Sequence, residues 1–281
     1  RRSDDKLSTT ADAEHAEKDR TNAKNFAEVR FGLAVLRMVS SGPSASSVVK
    51  PGPEATVGIL VRAVLLDLDG TLLDTVLDLH AAANGMLREM GRPEVRIEDI
   101  RAYVGRGIPN LVKRVLAGAL EAADDPTPPP PEPLAAFRRH YAETNGRAAA
   151  PYPGVREGLA ALKSMGMPLA CITNKAASFT EPLLARTGLA PYFAAVVSGD
   201  TLPRQKPDPM PLVWACGRLA VSPADTLMVG DSIHDFHAAR AAGCRIFLVP
   251  YGYNEGRDVR KLDADAIVAD LADAASRIRN A

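Results

Sequence analysis

The stretch VRAVLLDLDGT (61–71) predicts a buried strand that ends in a pair of carboxylates. Residues 61–67 are β-branched and Leu-rich, and a short continuous apolar run of this kind is typical of a strand buried on both faces. The run ends at Asp67, and Asp69 and Gly70 follow directly. The stretch therefore predicts a strand of a parallel sheet with acidic groups at its carboxyl end.

Four further apolar runs of the same kind follow along the chain, at 168–173, 192–198, 226–230 and 245–249. Helical patterns lie between and beside them, at 155–166, 178–187, 208–220 and 234–242. Gly188 and Gly243 follow two of these patterns, at the position where a left-handed residue commonly ends a helix. Strands that alternate with helices predict an α/β fold, a Rossmann-like parallel sheet with right-handed crossovers.

Residues 76–150 interrupt this alternation, because they show only helical patterns, at 76–91, 97–102, 108–119 and 132–145. The Pro-rich stretch 126–133 lies between the last two patterns and is expected to be a stiff extended connector. Ligands of open α/β sheets bind outside the carboxyl ends of the strands. We therefore expect residues 76–150 to form a helical cap domain over that edge, inserted into a catalytic core of residues 61–75 and 151–281.

The first 60 residues differ in composition from the rest of the chain. Residues 1–30 carry seven basic and seven acidic side chains with few large apolar ones, and residues 39–58 are rich in Ser, Gly and Pro. Such a segment buries too little apolar surface to offset its ordering entropy. We expect residues 1–60 to be a disordered extension, which favours a natural translation start near Leu60 or Val61.

Charge and cysteine content exclude several classes of protein. The 281 residues include 34 Lys and Arg and 34 Asp and Glu, so the chain lacks the basic excess typical of proteins that bind nucleic-acid backbones or anionic membranes. Three cysteines without C-x-x-C spacing argue against a disulfide framework or a zinc site. The apolar runs are shorter than the roughly 20 residues that span a bilayer. We expect a cytoplasmic protein with no nucleic-acid or membrane partner, and the sequence leaves its oligomeric state open.

Polar clusters follow four of the predicted strands, as DLDGT (67–71), TNK (173–175), SGDTLPRQKPDP (198–209) and GDSIHD (230–235). The carboxyl ends of parallel strands lie at one edge of a sheet, so we expect these clusters to converge. A lone D-x-D pair is also typical of a surface loop of calcium-binding type. Four clusters in order at strand ends favour a shared site instead.

The chemistry of these side chains suits the transfer of a phosphoryl group. Asp67 can attack phosphorus as a nucleophile, and a protonated Asp69 can donate to the leaving oxygen and then activate water. Two carboxylates admit an anionic phosphoryl group only if their charge is offset, which calls for Mg²⁺ and a fixed cation. Asp231 is a candidate metal ligand, Lys206 a candidate cation, and Thr173 suits a phosphate oxygen.

These motifs carry a resemblance to a known family. DLDGTLLDT (67–75), ITNK (172–175), KPDPMPL (206–212) and VGDSIHD (229–235) are similar in order and spacing to the haloacid dehalogenase superfamily of phosphatases, and the resemblance covers residues 61–281. Three further segments, 104–112, 199–212 and 250–256, resemble the bacterial phosphoglycolate phosphatases of that superfamily. The resemblance implies hydrolysis of a small phosphomonoester through an aspartyl-phosphate, with 2-phosphoglycolate as the expected substrate.

The resemblance also implies roles for individual residues. Asp67 is the expected nucleophile and Asp69 the expected general acid and base. Thr173 is expected to bind the transferring phosphoryl group, with Asn174 beside it as a substrate-binding residue. Lys206 is expected to neutralise the nucleophile and the phosphate.

The metal site is likewise implied by the resemblance. Mg²⁺ is expected between the Asp67 side chain, the Asp69 backbone carbonyl and the Asp231 side chain, and Asp235 is expected to orient these ligands. Dehalogenases of the superfamily lack an acid at the position of Asp69. Hydrolysis of a carbon–halogen bond is therefore disfavoured.

The choice of substrate is expected to come from the cap. Phosphoglycolate carries a carboxylate, which needs a cation or several backbone N–H donors, and Arg106 between two glycines is our hypothesis for that contact. A solvated loop arginine is an equally good interpretation. His234 and His237 are interpreted as part of a solvated helix face, and Trp214 as a core residue.

Alternative functions remain open at this point. A phosphatase of a larger sugar or amino-sugar phosphate, or a phosphomutase, would share the four core motifs. A catalytically inactive binding module is the alternative of another class. The complete set of candidate catalytic residues argues against that last alternative.

Overall fold

Short apolar runs form the strands of the sheet in the computed structural model, which describes residues 58–280. In chain order the strands are β1 (Ile59–Val61), β2 (Ala63–Leu66), β3 (Leu73–Asp74), β4 (Ala150–Pro151), β5 (Leu169–Ile172), β6 (Ala195–Val197), β7 (Thr226–Gly230), β8 (Arg245–Leu248), β9 (Ala266–Ile267) and β10 (Ile278–Asn280). Six of them form one parallel sheet in the order β6-β5-β2-β7-β8-β9. The predicted α/β fold with a parallel sheet is confirmed.

The helices follow the predicted pattern closely. They are α1 (Val76–Glu89), α2 (Ile97–Tyr103), α3 (Gly107–Ala117), α4 (Pro131–Thr144), α5 (Val155–Ser164), α6 (Ala177–Arg186), α7 (Met210–Arg218), α8 (Ile233–Ala242) and α9 (Leu271–Ser276). Gly188 and Gly243 follow α6 and α8 with φ of 71° and 79°. This left-handed conformation is accessible to glycine without strain, and it ends both helices as expected.

Alternate residues of the central strands face two apolar clusters. Val64 and Leu66 of β2 pack with side chains of α5, α6 and α9 on one face of the sheet. Leu65 packs with side chains of α7 and α8 on the other face. Because successive strand residues point to opposite faces, a strand covered on both sides must be apolar throughout. This explains why all four residues of β2, Ala63–Leu66, are apolar and buried.

Helices α1–α4 form a separate layer, here called the helical insert (residues 76–144), with its own apolar cluster. The chain enters and leaves it through β3 and β4, which pair antiparallel. Beside this pair the buried carboxylate of Asp78 accepts backbone N–H groups of Gly146, Ala148 and Ala149. The two crossings between the sheet and the helical insert are thereby held side by side. The division into a catalytic core and a cap domain stays a prediction.

Two predicted boundaries need correction. The expected extension of residues 1–60 lies outside the described residues up to position 57, but Ile59 and Leu60 belong to β1, which pairs with β10. That pairing joins the two ends of the described chain, and local composition carries no sign of it. The Pro-rich connector also ends earlier than expected, because Pro131 starts α4 and Pro133 lies in its first turn. Proline is tolerated there, where no intrahelical N–H bond is needed.

Trp214 was predicted to be a core residue, but 37% of it is exposed. It lies on α7 with the Arg218 guanidinium 5.8 Å from its ring centre. The apolar cluster on that face of the sheet takes Leu212, Ala215 and Cys216 of α7 instead. None of the helices within residues 58–280 is long and apolar enough to cross a membrane.

Candidate active site

The carboxyl ends of three neighbouring strands bring the candidate residues together. Asp67, Thr173 and Asp231 are the first residues after β2, β5 and β7, which are adjacent in the sheet. Lys206 reaches the same place from the loop after β6. One cavity of about 580 Å³, partly open to solvent, is lined by these four residues with Asp69, Asn174, Lys175, Ser232, His234 and Tyr253 and by residues of the helical insert.

Lys206 is a buried ammonium held between two carboxylates. Its Nζ lies 2.7 Å from Oδ1 of Asp67 and 2.6 Å from Oδ1 of Asp235, and it donates a third bond to the Ile172 carbonyl. Burial opposes its charge, but Asp235 and Asp67 outweigh burial and raise the pKa of Lys206 above its usual value. The cation that the sequence predicts therefore stays charged beside Asp67.

Acidic groups outnumber cations at the centre of the site. Oxygen atoms of Asp67, Asp231 and Asp235 lie within 4.8 Å of one another. Burial and the charge of Asp235 raise the pKa of Asp67 to about 7, against the opposing effect of Lys206. Burial, Asp67 and Asp235 likewise raise the pKa of Asp231. Such a set of hard oxygen donors with uncompensated charge fits a divalent cation.

The carboxylate of Asp231 is held in a narrow cradle. It accepts hydrogen bonds from Thr71 Oγ1 at 2.7 Å and from the Tyr253 backbone N–H at 2.5 Å. Gly70 and Gly252 approach it so closely that a Cβ at either position would collide with the carboxylate. Because Gly70 and Gly252 have no side chain, they leave the space that the Asp231 carboxylate occupies beside Asp67.

Asp235 differs from the other two carboxylates, because its oxygens are already engaged. Oδ1 binds Lys206, and Oδ2 accepts the Ser232 hydroxyl and the backbone N–H groups of Asp231 and Ser232. Ser232 and Asp235 also form the capping box that starts α8. The geometry suits a residue that orients its neighbours.

Asp69 has two partners that sequence reasoning missed. Its Oδ1 accepts a hydrogen bond from Thr75 Oγ1 at 2.7 Å, and Nζ of Lys175 lies 2.9 and 3.0 Å from its two oxygens. Lys175 also donates to the hydroxyl of Tyr141 on α4, at 2.6 Å. Both missed residues lie inside the quoted motifs, at the ends of DLDGTLLDT and TNK. Their position in those motifs was the available signal.

Asn174 joins the helical insert to the loop of Lys206. Its Nδ2 donates to the carbonyls of Gly105 and Lys206, each at 3.0 Å. Oδ1 of Asn174 has no hydrogen-bond partner among residues 58–280. Thr173 faces the same cavity, and its hydroxyl accepts the backbone N–H of Lys175 at 3.1 Å.

Arg106 is the candidate residue that the structure does not bring to the others. Its guanidinium lies 2.7 Å from Asp124 and 3.2 Å from Glu255, whereas the neighbouring Gly105 and Gly107 line the cavity. The expectation that Arg106 faces the substrate is not met in this arrangement, because acidic partners on the far side of the loop bind its side chain.

His234 corrects the expectation of a solvated helix face. Its ring is buried and lines the cavity, while His237 is exposed as expected. The reason is the loop before α3, since a Cβ on Gly105 would lie 3.6 Å from Cδ2 of His234. The helical insert covers a position on α8 that the local pattern alone assigns to the surface.

Comparison with known proteins agrees with this geometry. The sequence profile described as "Haloacid dehalogenase-like hydrolase" matches residues 64–249. A protein of Thiobacillus denitrificans named "Phosphoglycolate phosphatase" is 52% identical over 221 residues, which are 79% of this chain and 97% of that protein. A protein of the same name from Nitrosospira multiformis is 53% identical over 219 residues, 78% of this chain and 96% of that protein.

A solved structure supports the same assignment. The crystal structure of a predicted phosphoglycolate phosphatase from Haemophilus somnus superposes with a TM-score of 0.69 at 31% identity, and covers 76% of this chain and 96% of that one. The sequence matches and the site, with its carboxylates at strand ends and its buried lysine, indicate the same family. The chain belongs to the family of haloacid dehalogenase-like hydrolases.

Proposed function

We propose that this protein is a Mg²⁺-dependent phosphatase that converts 2-phosphoglycolate to glycolate and phosphate. The observation that carries the proposal is Asp67 at the end of β2, with the Lys206 ammonium at 2.7 Å, in a cavity that the helical insert covers. The substrate is the one named for relatives that are 52% and 53% identical over nearly their whole length. Because those relatives match over both the sheet and the helical insert, the proposal extends to the substrate.

The first step transfers the phosphoryl group to the protein. The Asp67 carboxylate attacks phosphorus, the bond from phosphorus to the glycolate oxygen breaks, and Asp69 donates its proton to that oxygen. The products of this step are glycolate and an aspartyl-phosphate on Asp67. Lys206 stays beside the carboxylate and offsets negative charge while the new bond forms.

The second step returns Asp67 to its first state. Asp69, now a carboxylate, removes a proton from water, and the water oxygen attacks phosphorus. The bond between phosphorus and the Asp67 oxygen breaks, and phosphate leaves. Thr75 and Lys175 hold the Asp69 carboxylate at 2.7–3.0 Å, which keeps it aimed at the site in both steps.

Asp67 and Asp231 would hold Mg²⁺ through their side chains and Asp69 through its backbone carbonyl, with Asp235 orienting the set. When bound, the ion neutralises negative charge on the carboxylates and on the phosphoryl oxygens. Thr173 and Asn174 are proposed to bind the phosphoryl oxygens, Thr173 through its hydroxyl. The raised pKa values of Asp67 and Asp231 support a bound cation, because burial without one disfavours their ionised forms.

The carboxylate of phosphoglycolate would face the helical insert. Arg106 would reach it only after leaving Asp124 and Glu255. We propose that backbone N–H groups of this loop supply the contact instead, because Gly105 and Gly107 line the cavity and the Arg106 side chain binds acidic partners. Cys171, Cys216 and Cys244 are buried free thiols, and together with a small-molecule substrate they support the proposal of a cytoplasmic enzyme.

Phosphate release from a panel of small phosphomonoesters, with and without Mg²⁺, tests the proposal. We expect 2-phosphoglycolate to give the highest kcat/KM, and Asp67→Asn to lower kcat by at least about 10³-fold. A hexose phosphate as the best substrate would overturn the specificity alone. Turnover that is undiminished in Asp67→Asn would overturn the nucleophile, and a protein that turns over no ester would be the binding module.

A further inference from the structure

A buried ion pair connects the helical insert to the core behind the cavity. The Glu255 carboxylate lies 2.5 Å from a guanidinium nitrogen of Arg114, and the two side chains are 2% and 1% exposed. Arg114 also donates to the carbonyls of Tyr103 and Leu120, each at 2.8 Å. Arg114, which lies on α3, therefore contacts the end of α2 and the turn after α3, and it links all three to the Glu255 carboxylate of the core.

Glu255 belongs to a segment whose successive residues contact different parts of the site. The Tyr253 N–H binds Asp231, and Asn254 Oδ1 accepts the N–H of Ile233 at the start of α8. Glu255 follows with φ of 52°, a left-handed conformation that is unfavourable for a residue with a Cβ. A strained residue of this kind persists only where its surroundings fix it, and its contacts provide that constraint.

The charges around Glu255 keep it ionised. Burial opposes ionisation, but the nearby His234 ring, the hydrogen bond from Arg114 and the charges of Arg114 and Arg106 outweigh it and lower the pKa of Glu255 to about 2. The carboxylate is therefore charged throughout the neutral range. Loss of one partner of a buried pair leaves an uncompensated charge, so the docked arrangement depends on both residues.

Glu255 lies directly behind the wall of the cavity. Arg106, which it binds at 3.2 Å, belongs to the 104–107 loop, whose Gly105 and Gly107 line the cavity. His234 also lines the cavity, and its Nε2 is 3.6 Å from the Glu255 carboxylate. The same carboxylate thus contacts the helical insert, the loop and a side chain of the cavity wall.

We propose that Glu255 is a positioning residue that docks the helical insert on the core and holds the 104–107 loop over the cavity. It acts through Arg114 and Arg106 and touches neither the substrate nor the reacting atoms. The kinetic consequence of this docking rests on the proposed function. The docking itself does not, because it can be measured without substrate.

The test compares Glu255→Gln with the wild-type protein by steady-state kinetics and by amide hydrogen exchange without substrate. We expect kcat/KM for the best phosphomonoester to fall roughly 100-fold, with a higher KM, because the loop is displaced from the substrate. Amides of residues 104–117 should exchange at least about tenfold faster, while those of β2 and β7 keep their protection. The charge-retaining Glu255→Asp should recover part of both losses.

Glu89→Gln is the matched control. Glu89 lies on the outer surface of the helical insert, 44% exposed, and binds Arg139 and His140. Exposed pairs contribute little, so kinetics and exchange should match the wild-type protein. If Glu255→Gln is insoluble, Arg114→Lys supplies the same two measurements, because it keeps the charge and loses the forked geometry.

Several results would overturn the docking role. Wild-type kinetics with unchanged exchange at 104–117 would do so, and so would lost activity with unchanged exchange, since Glu255 would then act elsewhere. Faster exchange over the whole chain would show a general stabilising role. A wild-type protein without phosphatase activity would refute the proposed function and leave the exchange experiment decisive for the docking.

Discussion

At the carboxyl edge of the sheet, Asp67, Thr173 and Asp231 each follow the last residue of a strand, whereas the helical insert reaches the same cavity through scattered long-range contacts. These three residues, with Lys175 and Lys206 beside them, are here called the edge residues. The spacing of Asp67, Thr173 and Asp231 is set by the pairing of β5, β2 and β7. The contacts of the helical insert join residues far apart in the chain, such as Arg114 and Glu255, which are 141 positions apart.

This difference separates two tasks within one site. The edge residues are buried and held by the main chain of the sheet, so their geometry changes little unless the fold itself changes. The helical insert is joined to the core by the β3–β4 pair, by apolar packing with Phe179 and Tyr253, and by side-chain contacts such as Arg114–Glu255. Single side-chain contacts of this last kind can be altered without changing the pairing of the six-stranded sheet. We therefore assign the chemistry to the edge and the selection of substrate to the helical insert, and mutations can test this assignment.

The largest effect is expected at Lys206 of the edge. Lys206→Met leaves Asp67 and Asp235 buried without their shared cation, and removal of one partner of a buried pair costs about 3–5 kcal/mol. Urea unfolding should show that loss, and kcat should fall by about 10³-fold. Lys163→Met, an exposed control, should change neither. A stable and active Lys206→Met variant would contradict the assignment of the chemistry to the edge residues.

The second prediction compares Lys175, an edge residue, with Tyr141, its hydrogen-bond partner in the helical insert. Lys175→Met removes the ammonium that holds Asp69, and kcat should fall about 100-fold with KM nearly unchanged. Tyr141→Phe removes only the hydroxyl that Lys175 contacts, and kcat should fall less than about tenfold. Equal losses in steady-state assays would show that the two regions act as one unit.

Magnesium binding should depend on pH through the edge carboxylates. In the metal-free protein the pKa of Asp67 is raised from 3.8 to about 7. Between about pH 4 and pH 7 the folded state therefore binds more protons than the unfolded state. Its free energy of unfolding falls as the pH rises through this range. Mg²⁺ competes with those protons.

Saturating Mg²⁺ should thus raise the Tm of the protein by about 5–10 °C at pH 8 and by much less at pH 5. Thermal unfolding followed by circular dichroism at the two pH values measures the difference. The increase should disappear in Asp231→Asn, which removes a proposed ligand. A larger increase at pH 5 than at pH 8 would contradict metal binding at these carboxylates.

The smallest effect is expected at Asp124, the exposed partner of Arg106. Asp124→Asn removes a pair whose carboxylate is 65% exposed, so stability should change by less than about 1 kcal/mol. We expect kcat/KM to change less than about threefold, because Glu255 still holds Arg106. A higher kcat/KM for phosphoglycolate would instead indicate that Asp124 restrains Arg106 from the substrate.

The sequence predicts what depends on local pattern. The apolar run before Asp67 and the residues that follow β5 and β7 lie where period and strand order require, so the fold and the meeting of these side chains could be inferred. Their catalytic roles stay predictions.

Contacts between distant segments could not be inferred. The side chain of Arg106 turns to Asp124 and Glu255, and His234 is buried by a loop that lies more than a hundred residues earlier in the chain. Lys175 lay within a quoted motif, yet its pairing with Asp69 depends on the three-dimensional neighbourhood of both strands. Patterns of period 2 and 3.6 specify which face is apolar and carry no information on such partners.

The antiparallel pairing of β3 and β4 has a consequence for how this enzyme could evolve. The chain leaves the β3–β4 pair at Asp74 and returns to it at the pairing partner Ala150, so the ends of the intervening segment are adjacent. A segment with adjacent ends can be lengthened, shortened or exchanged at little cost in chain entropy and without moving a strand. Substrate preference could therefore diverge through recombination at these two positions while the hydrolytic chemistry is inherited intact.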